Sequence, residues 1–166
     1  MEVTLGTGER ALAKCWKEEH AESYFQEAAF YDMLQPPPNP SHDYPFFPTV
    51  LCYGEIVCSS LFPEGYILVL SWVEGLPLSL HWPWPRDNIK SDPSYNHIRE
   101  QCREAVVVLR RLGIYLLDSG PHNVLFDRES GRGTMIDFEQ YRMCMDEKRK
   151  RSLDAPELVT IFGRNN

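Results

Sequence analysis

Three polar residues in the second half of the chain have types and a spacing that could bind a magnesium ion in one pocket. Asp118 and Asn123 lie five positions apart, and Asp137 follows Asn123 by 14 positions. The first two would share a polar loop and the third would close a following strand, so all three can reach one pocket. Mg²⁺ prefers oxygen ligands, and two carboxylates with one amide can hold it against phosphate oxygens. The trio is typical of magnesium-dependent nucleotide chemistry, although Asp118 and Asn123 could instead only cap a loop.

The stretch around these residues resembles the catalytic region of protein-kinase-like phosphotransferases. Their catalytic loop is H-R-D-x-x-x-x-N and their metal-binding aspartate begins D-F-G, where this sequence has L-L-D-S-G-P-H-N and D-F-E. By this resemblance Asp118 would be the catalytic base that orients the acceptor hydroxyl, and Asn123 and Asp137 would bind magnesium. The resemblance covers residues 10–142. It favours atypical relatives, namely aminoglycoside and choline phosphotransferases and short fungal kinase-like proteins.

A second part of the resemblance lies near the start of the chain. Residues 11–14, A-L-A-K, resemble the V-A-I-K strand whose lysine contacts the α- and β-phosphates, so Lys14 is the predicted phosphate-binding and catalytic cation. A lysine in an apolar strand needs an anion beside it. Glu27, in the middle of the following helix, resembles the partner glutamate of the kinase αC helix. Three other glutamates compete for this role: Glu18, Glu19 and Glu22.

The run I-L-V-L-S-W-V-E-G resembles the kinase hinge, which binds the adenine base. By this resemblance Leu70 would be the gatekeeper, and the backbone of Ser71 and Val73 would face adenine. Leu125 would then form the floor of the adenine pocket. Each of these residues could equally belong to an ordinary apolar core.

The sequence departs from the family pattern in several places. Only Gly6-x-Gly8 echoes the glycine-rich loop that should precede the lysine strand, Leu116 replaces the H-R-D histidine, and Glu139 replaces the D-F-G glycine. We therefore expect weak cover for the phosphates and low intrinsic activity unless a partner supplies that cover. We also expect no activation segment, A-P-E motif or lower helical lobe after D-F-E, and hence no docking of a protein substrate there.

The elements that would position these residues follow from hydrophobic periodicity. We predict strands over 10–16, 49–60, 66–73, 123–126 and 134–136, and helices over 18–34, 95–112 and 157–162. Gly6 and Gly8 would turn the chain into the first strand, residues 62–65 would form a hairpin, and Gly113 would end the middle helix. The proline-rich stretches 35–48 and 81–88 are predicted connectors. Trp82 and Trp84 in the second would pack that loop down or contact a substrate or partner.

The composition disfavours several classes of partner. The chain has 17 basic and 24 acidic residues, a net charge of −7, which disfavours nucleic acids and anionic membrane surfaces. No segment approaches the roughly 18 consecutive apolar residues of a membrane-spanning helix. The five cysteines contain no C-x-x-C pair, so neither a disulfide framework nor a zinc site is indicated. We expect a soluble cytoplasmic protein with reduced thiols.

Together, these patterns predict one α+β domain with a truncated protein-kinase-like fold over residues 1–166. A small antiparallel-sheet N-lobe would cover about 1–73, and a shortened helical C-lobe about 74–166. The leading hypothesis is an ATP- and Mg²⁺-dependent phosphotransferase whose acceptor, a small molecule or a protein, is unknown. The alternative is a pseudokinase or nucleotide-binding scaffold that acts through a protein partner. A third hypothesis is a gene fragment without stable activity.

Overall fold

The computed structural model describes residues 1–34, 45–57, 62, 64–81, 93–144 and 156–163. The chain divides into two compact units. The first consists of Met1–Asp43 and Pro48–Trp72, and the second of Tyr44–Phe47 and Val73–Asn166.

The first unit is a four-stranded antiparallel sheet with one helix. The strand order is β1-β2-β4-β3. A 3₁₀ turn over Glu18–His20 leads from β2 into the helix. The elements are β1 (Glu2–Thr4), β2 (Arg10–Trp16), α1 (Ala21–Leu34), β3 (Val50–Ile56) and β4 (Gly65–Ser71).

Strand β4 is one of the two interior strands of this sheet, and its residues are apolar on both faces. Leu68, Val69 and Leu70 are all buried, and β4 pairs with β2 on one side and β3 on the other. The antiparallel pairing predicted for β3 and β4 is confirmed, with Ile56 opposite Gly65. The predicted turn residues 62–65 do not all lie in the turn, because Gly65 already begins β4, and residues 58–61 and 63 lie outside the described residues.

Two glycine positions shape the turns of the first unit. The turn between β1 and β2 is closed by the Leu5 N–H, which donates to the Glu9 carbonyl at 2.9 Å, and Gly8 adopts a φ of 85° there. Gly8 therefore serves a tight hairpin before β2, as expected. Gly65 has a φ of 134°, and a Cβ at this position would lie 2.1 Å from the Trp16 carbonyl oxygen. Only glycine fits the start of β4.

The second unit combines two small antiparallel sheets with helices. One sheet has the order β5-β7-β8, and β6 pairs with β9 in the other. Residues 45–47 belong to this unit, since the Met135 N–H donates to the Phe46 carbonyl at 2.9 Å. The elements are β5 (Leu76–Pro77), α2 (Leu78–His81), α3 (Pro93–Arg111), β6 (Ile114–Leu116), β7 (Val124–Asp127), β8 (Arg132–Met135), β9 (Tyr141–Met143) and α4 (Pro156–Phe162).

Helix α3 carries the apolar stripe that the sequence predicts. Its buried residues recur every three or four positions, which is the spacing of one helix face. The helix ends as predicted at Gly113, which has a φ of 76° and donates its N–H to the Arg110 carbonyl. The buried residues are Tyr95, Ile98, Cys102, Ala105, Val106, Leu109 and Arg110.

Several short elements were not predicted from the sequence. They are β1, β5, α2, β6 and β9, each only two to four residues long. Segments this short have no measurable periodicity. Strands β5, β6 and β9 form only by pairing with partners that are distant in sequence. In the described part of the chain, no helix is long and apolar enough to cross a membrane.

Candidate functional site

Strand β2 presents Lys14 to helix α1. Ala11 and Ala13 lie on one face of the strand and pack with Val69 in a small apolar cluster. Because side chains alternate between faces, Lys14 lies on the opposite face. Its Nζ lies 2.5 Å from Glu27 Oε2. The lysine side chain is 22% exposed, so the ammonium group is paired with an acid and still reachable from solvent.

Glu27 lies on the buried stripe of α1, which explains why this glutamate meets the lysine. The stripe comprises Tyr24, Glu27, Ala28, Phe30, Tyr31 and Leu34, and the Glu27 side chain has no exposed surface. A buried carboxylate costs several kcal/mol unless a cation and hydrogen bonds compensate it. Of the competing glutamates, Glu18 and Glu22 are exposed, and Glu19 lies 3.8 Å from Lys17.

The predicted adenine-contacting residues are distributed over several strands. Leu70 is 2% exposed in β4, and Ser71 ends that strand opposite Ala11. The Ser71 N–H donates to the Thr49 carbonyl at 2.8 Å, so an adenine contact through that N–H requires exchange of this bond. The remaining two lie in the second unit and are half-buried: Val73 follows β4, and Leu125 lies in β7.

The loop between β6 and β7 brings Asp118 and Asn123 together. A 3₁₀ turn over Pro121–Asn123 folds the loop back, and the Asn123 Nδ2 donates to the Asp118 carbonyl at 3.3 Å. Asn123 is 6% exposed, whereas the Asp118 side chain is 46% exposed. The Asn123 amide nitrogen donates its hydrogen bond within the loop. The amide oxygen is therefore the atom that can accept a hydrogen bond or bind a cation. The Asp118 carboxylate is accessible from solvent.

Asp137 is connected to the same loop through the backbone. The Ile136 N–H donates to the Asn123 carbonyl at 2.9 Å, directly before Asp137. Asp137 is exposed and has a φ of 65°, and it is the only non-glycine residue with a positive φ among those the structure describes. A left-handed conformation costs a residue with a side chain roughly 1–2 kcal/mol. Such strain concentrates at functional sites, and here it sets the direction of a carboxylate.

Phe138 anchors this aspartate from the other side. It is fully buried and makes an edge-to-face contact with Phe47, with ring centroids 5.7 Å apart. The polar Asp137 is therefore held between a backbone bond to the loop and a buried aromatic ring. Its neighbour Glu139, at the place of the family's glycine, is half-buried.

Other departures from the family pattern have a structural role here. Leu116, at the place of the H-R-D histidine, is buried in β6 opposite Tyr141 of β9. Leu117 follows it and is 61% exposed. The loop is thus supported by strand pairing and apolar burial at a position where the family uses a histidine.

His122 was not singled out from the sequence but lies beside the predicted base. Its Nε2 is 3.5 Å from Asp118 Oδ1, and its ring lies over Gly120, where a Cβ would be 2.2 Å from the ring carbon Cε1. Gly120 is therefore required for this ring position. The signal in the sequence was a histidine inside the catalytic-loop match.

The expectation that no A-P-E motif follows D-F-E is wrong. Ala155, Pro156 and Glu157 spell A-P-E, and the last two begin helix α4. Glu157 is buried, and its Oε2 lies 2.5 Å from Nη2 of buried Arg110 on α3. The letters alone could have identified this glutamate as part of the kinase-like pattern.

Two predictions concern residues that the structure does not describe. The tryptophan pair at Trp82 and Trp84 lies outside the described residues. Most of the proline-rich connector 35–48 does too.

Comparison with known proteins identifies the fold. No family model and no curated protein matches the sequence. Among solved structures, the protein kinase Rad53 (residues 1–466, in complex with AMP-PNP) matches with a TM-score of 0.61 and 18% sequence identity. The match covers 82% of this chain and 33% of that one, so the chain spans about a third of the Rad53 structure. The protein therefore has an α+β, protein-kinase-like fold.

Proposed function

We propose that the protein is an ATP- and Mg²⁺-dependent phosphotransferase of atypical kinase-like type. The observation that carries this proposal is the ion pair between Lys14 and the fully buried Glu27. A buried ion pair adds little stability over apolar residues of the same size, so its presence asks for another explanation. On a kinase-like fold, the explanation is a cation held in place for the α- and β-phosphates of a nucleotide.

In the second unit, the proposal assigns the chemistry to the loop after β6. Asp118 would accept a hydrogen bond from the acceptor hydroxyl and orient it for attack, because its carboxylate is half-exposed. Asn123 and Asp137 would hold Mg²⁺, since an amide oxygen and a carboxylate are ligands that this ion prefers. When bound, the metal would neutralise charge that develops on the transferred phosphoryl group. The backbone bond from Ile136 to Asn123 supports this assignment by linking the two ligand positions.

We propose that the residues resembling the kinase hinge contact the adenine base of the nucleotide. Leu70 would limit the depth of the adenine site, the backbone of Ser71 and Val73 would face the base, and Leu125 would lie beneath it. The bond between the Ser71 N–H and Thr49 makes Val73 the stronger candidate for a backbone donor to adenine. These roles rest on the resemblance to the kinase hinge.

A thermal-shift titration with ATP, with and without Mg²⁺, tests nucleotide binding. At 100 times its dissociation constant, a ligand of the folded state stabilises it by about 2.7 kcal/mol, which corresponds to roughly 5–10 °C in Tm. Asp137→Asn should abolish the magnesium-dependent part of the shift and leave the apo Tm within about 2 °C, because the side chain is exposed. Glu104→Gln, an exposed change on α3, should keep the full shift. The absence of any shift in the wild type at every ATP concentration would refute the proposal.

A test of the role of Lys14 requires a variant that does not leave a charged Glu27 without Lys14 beside it. The double variant Lys14→Met with Glu27→Met removes both charges, so it should stay folded while it loses the ATP-dependent shift. Lys14→Ala alone should lower the apo Tm as well, because the buried carboxylate of Glu27 then loses its ion pair with Lys14. An unchanged ATP shift in the double variant would remove Lys14 from the site.

A second candidate function is a pseudokinase that acts as a nucleotide-binding scaffold. The observation that favours it is Leu116, buried in β6 where active relatives have a histidine. Turnover separates the two candidates: an enzyme should transfer phosphate from ATP to water or to an acceptor and lose this with Asp118→Asn. A scaffold should show the thermal shift without turnover and should keep its partner binding in the same variant.

A further inference from the structure

Strand β3 forms one edge of the sheet in the first unit and carries apolar side chains. Strand β3 is last in the order β1-β2-β4-β3, so only one of its edges pairs with a strand in the described part of the chain. Proteins usually protect such edge strands with lysine or proline residues or with a β-bulge. Strand β3 has one register irregularity, between Val50 and Cys52, but it contains no lysine or proline. It exposes Leu51 and Tyr53, and Val57 directly after it is 88% exposed. The edge is therefore suited to pairing with another chain.

A groove adjoins the end of this edge and is lined by acids. It has a volume of about 340 Å³, and Ile56 and Val57 form part of its wall together with Tyr66 at the start of β4. Three glutamates complete the lining: Glu18, Glu55 and Glu64. Within the described residues, none of the three lies within ion-pair distance of a lysine, arginine or histidine. The groove thus combines an apolar wall with three carboxylates that could receive cations.

The charge of the chain is concentrated in this unit. The first unit contains 10 acidic and 3 basic residues, a net charge of −7, whereas the second contains 14 of each and is neutral. All three basic residues of the first unit already lie beside acids: Arg10 by Glu2, Lys14 by Glu27 and Lys17 by Glu19. The unit therefore presents a strongly negative surface that attracts basic partners.

Two tyrosines near the groove and on β3 lie beside acidic residues. The pKa of Tyr24, which stacks on Tyr66 with centroids 4.6 Å apart, is raised by burial, and then by the nearby Tyr66, Asp32 and Glu55. On β3 itself, the Tyr53 hydroxyl donates to Asp32 at 2.8 Å, and this bond raises the pKa of Tyr53. Negative groups thus lie along the β3 edge as well as in the groove at its end.

We propose that the β3 edge binds a basic, extended segment of another protein by strand addition. Backbone bonds to the outer edge of β3 would supply affinity, and lysine or arginine side chains of the partner would pair with Glu55 and Glu64. Apolar side chains at alternate positions would pack on Val57 and Tyr53. A second copy of this chain is a poor occupant, because two units of charge −7 repel each other.

Fluorescence polarisation with a labelled peptide that alternates arginine and valine tests this proposal. The wild-type protein should bind the peptide with an affinity that falls as salt rises. The variant Glu55→Gln/Glu64→Gln should weaken binding about fivefold, because two exposed ion pairs are lost. The matched control Glu104→Gln/Glu129→Gln makes the same change in net charge with exposed acids of the second unit, and should bind as the wild type does.

Three further measurements test strand addition and its alternatives. Two versions of the peptide, each with N-methyl groups on one of the two alternating sets of residues, remove the N–H donors of one edge at a time, so the version methylated on the edge that faces β3 should lose most of its affinity. Equal binding of both methylated versions and the unmodified peptide, or equal loss in both charge variants, would show general attraction to an acidic protein and overturn strand addition. Binding that appears only after Lys148–Arg151 are replaced by glutamine would show that the chain's own basic run is the occupant. A dimer in sedimentation that Val57→Ser disrupts would assign the edge to a second copy.

Discussion

Replacing Glu157 by glutamine tests how the buried ion pair of the second unit holds helix α4. The Glu157 and Arg110 side chains are 2% and 4% exposed, and Arg110 also donates to the Ile114 carbonyl at 2.9 Å. The Arg110 guanidinium lies 3.6 Å from the centre of the Tyr115 ring. Glutamine keeps the shape of glutamate but removes its charge. Arg110 would then remain buried without a counter-ion, at a cost of about 3–5 kcal/mol.

The penalty can appear as release of α4 or as unfolding of the whole unit. Its size relative to the free energy of docking α4 decides between the two. The helix buries Ile161 and Phe162, which together contribute about 3–6 kcal/mol. The Tyr95 hydroxyl adds a bond to the Phe162 carbonyl at 2.9 Å, worth about 1 kcal/mol. Ordering the seven residues of α4 opposes docking. We therefore expect Glu157→Gln to release α4, which hydrates Arg110, while α3 stays folded.

Hydrogen exchange measured by mass spectrometry distinguishes this release from global unfolding. A loss of about 3 kcal/mol corresponds to roughly 100-fold faster exchange in peptides from α4, with little change in α3. The exposed change Val159→Gln on the same helix should leave exchange unaltered. The double variant Arg110→Leu/Glu157→Leu should restore protection, because it removes both charges. Unchanged protection of α4 in Glu157→Gln would refute the argument that the pair holds this helix.

The remaining predictions concern one backbone position and one thiol. Gly65→Ala should lower the free energy of unfolding, measured by urea titration, by about 3 kcal/mol, because the new Cβ meets the Trp16 carbonyl. The control Gly54→Ala has open space around the new Cβ and should be neutral or slightly stabilising. Equal losses of stability in the two variants would contradict this. Burial raises the pKa of Cys102 to about 12, so its thiolate is scarce at neutral pH, and iodoacetamide should modify exposed Cys52 long before Cys102. Equal labelling rates, followed by mass spectrometry, would show that the core around Cys102 opens readily.

The longer elements could be predicted because each carries its own pattern. Helix α3 has an apolar stripe over five turns, and β4 is apolar on both faces, so local physics alone selects helix or strand. The glutamate that meets Lys14 could be chosen among four because only Glu27 lies on the buried stripe of α1. The catalytic-loop match placed Asp118 and Asn123 on one loop, where the structure connects them. Their chemical roles, with that of Asp137, stay predictions.

The sequence by itself determined the fold class, the long helices and strands, and the residues that could do chemistry, because periodicity and motif spacing are local properties of the chain. Only the tertiary structure decided the short strands β5, β6 and β9, whose backbone groups are satisfied by partners far along the chain. It also decided that Glu157 pairs with Arg110, 47 residues away, and that Asp137 adopts a left-handed conformation. These features depend on whether the cost of burying a polar group is offset by a hydrogen bond or ion pair. The partners for such bonds are in reach only once distant segments have packed together.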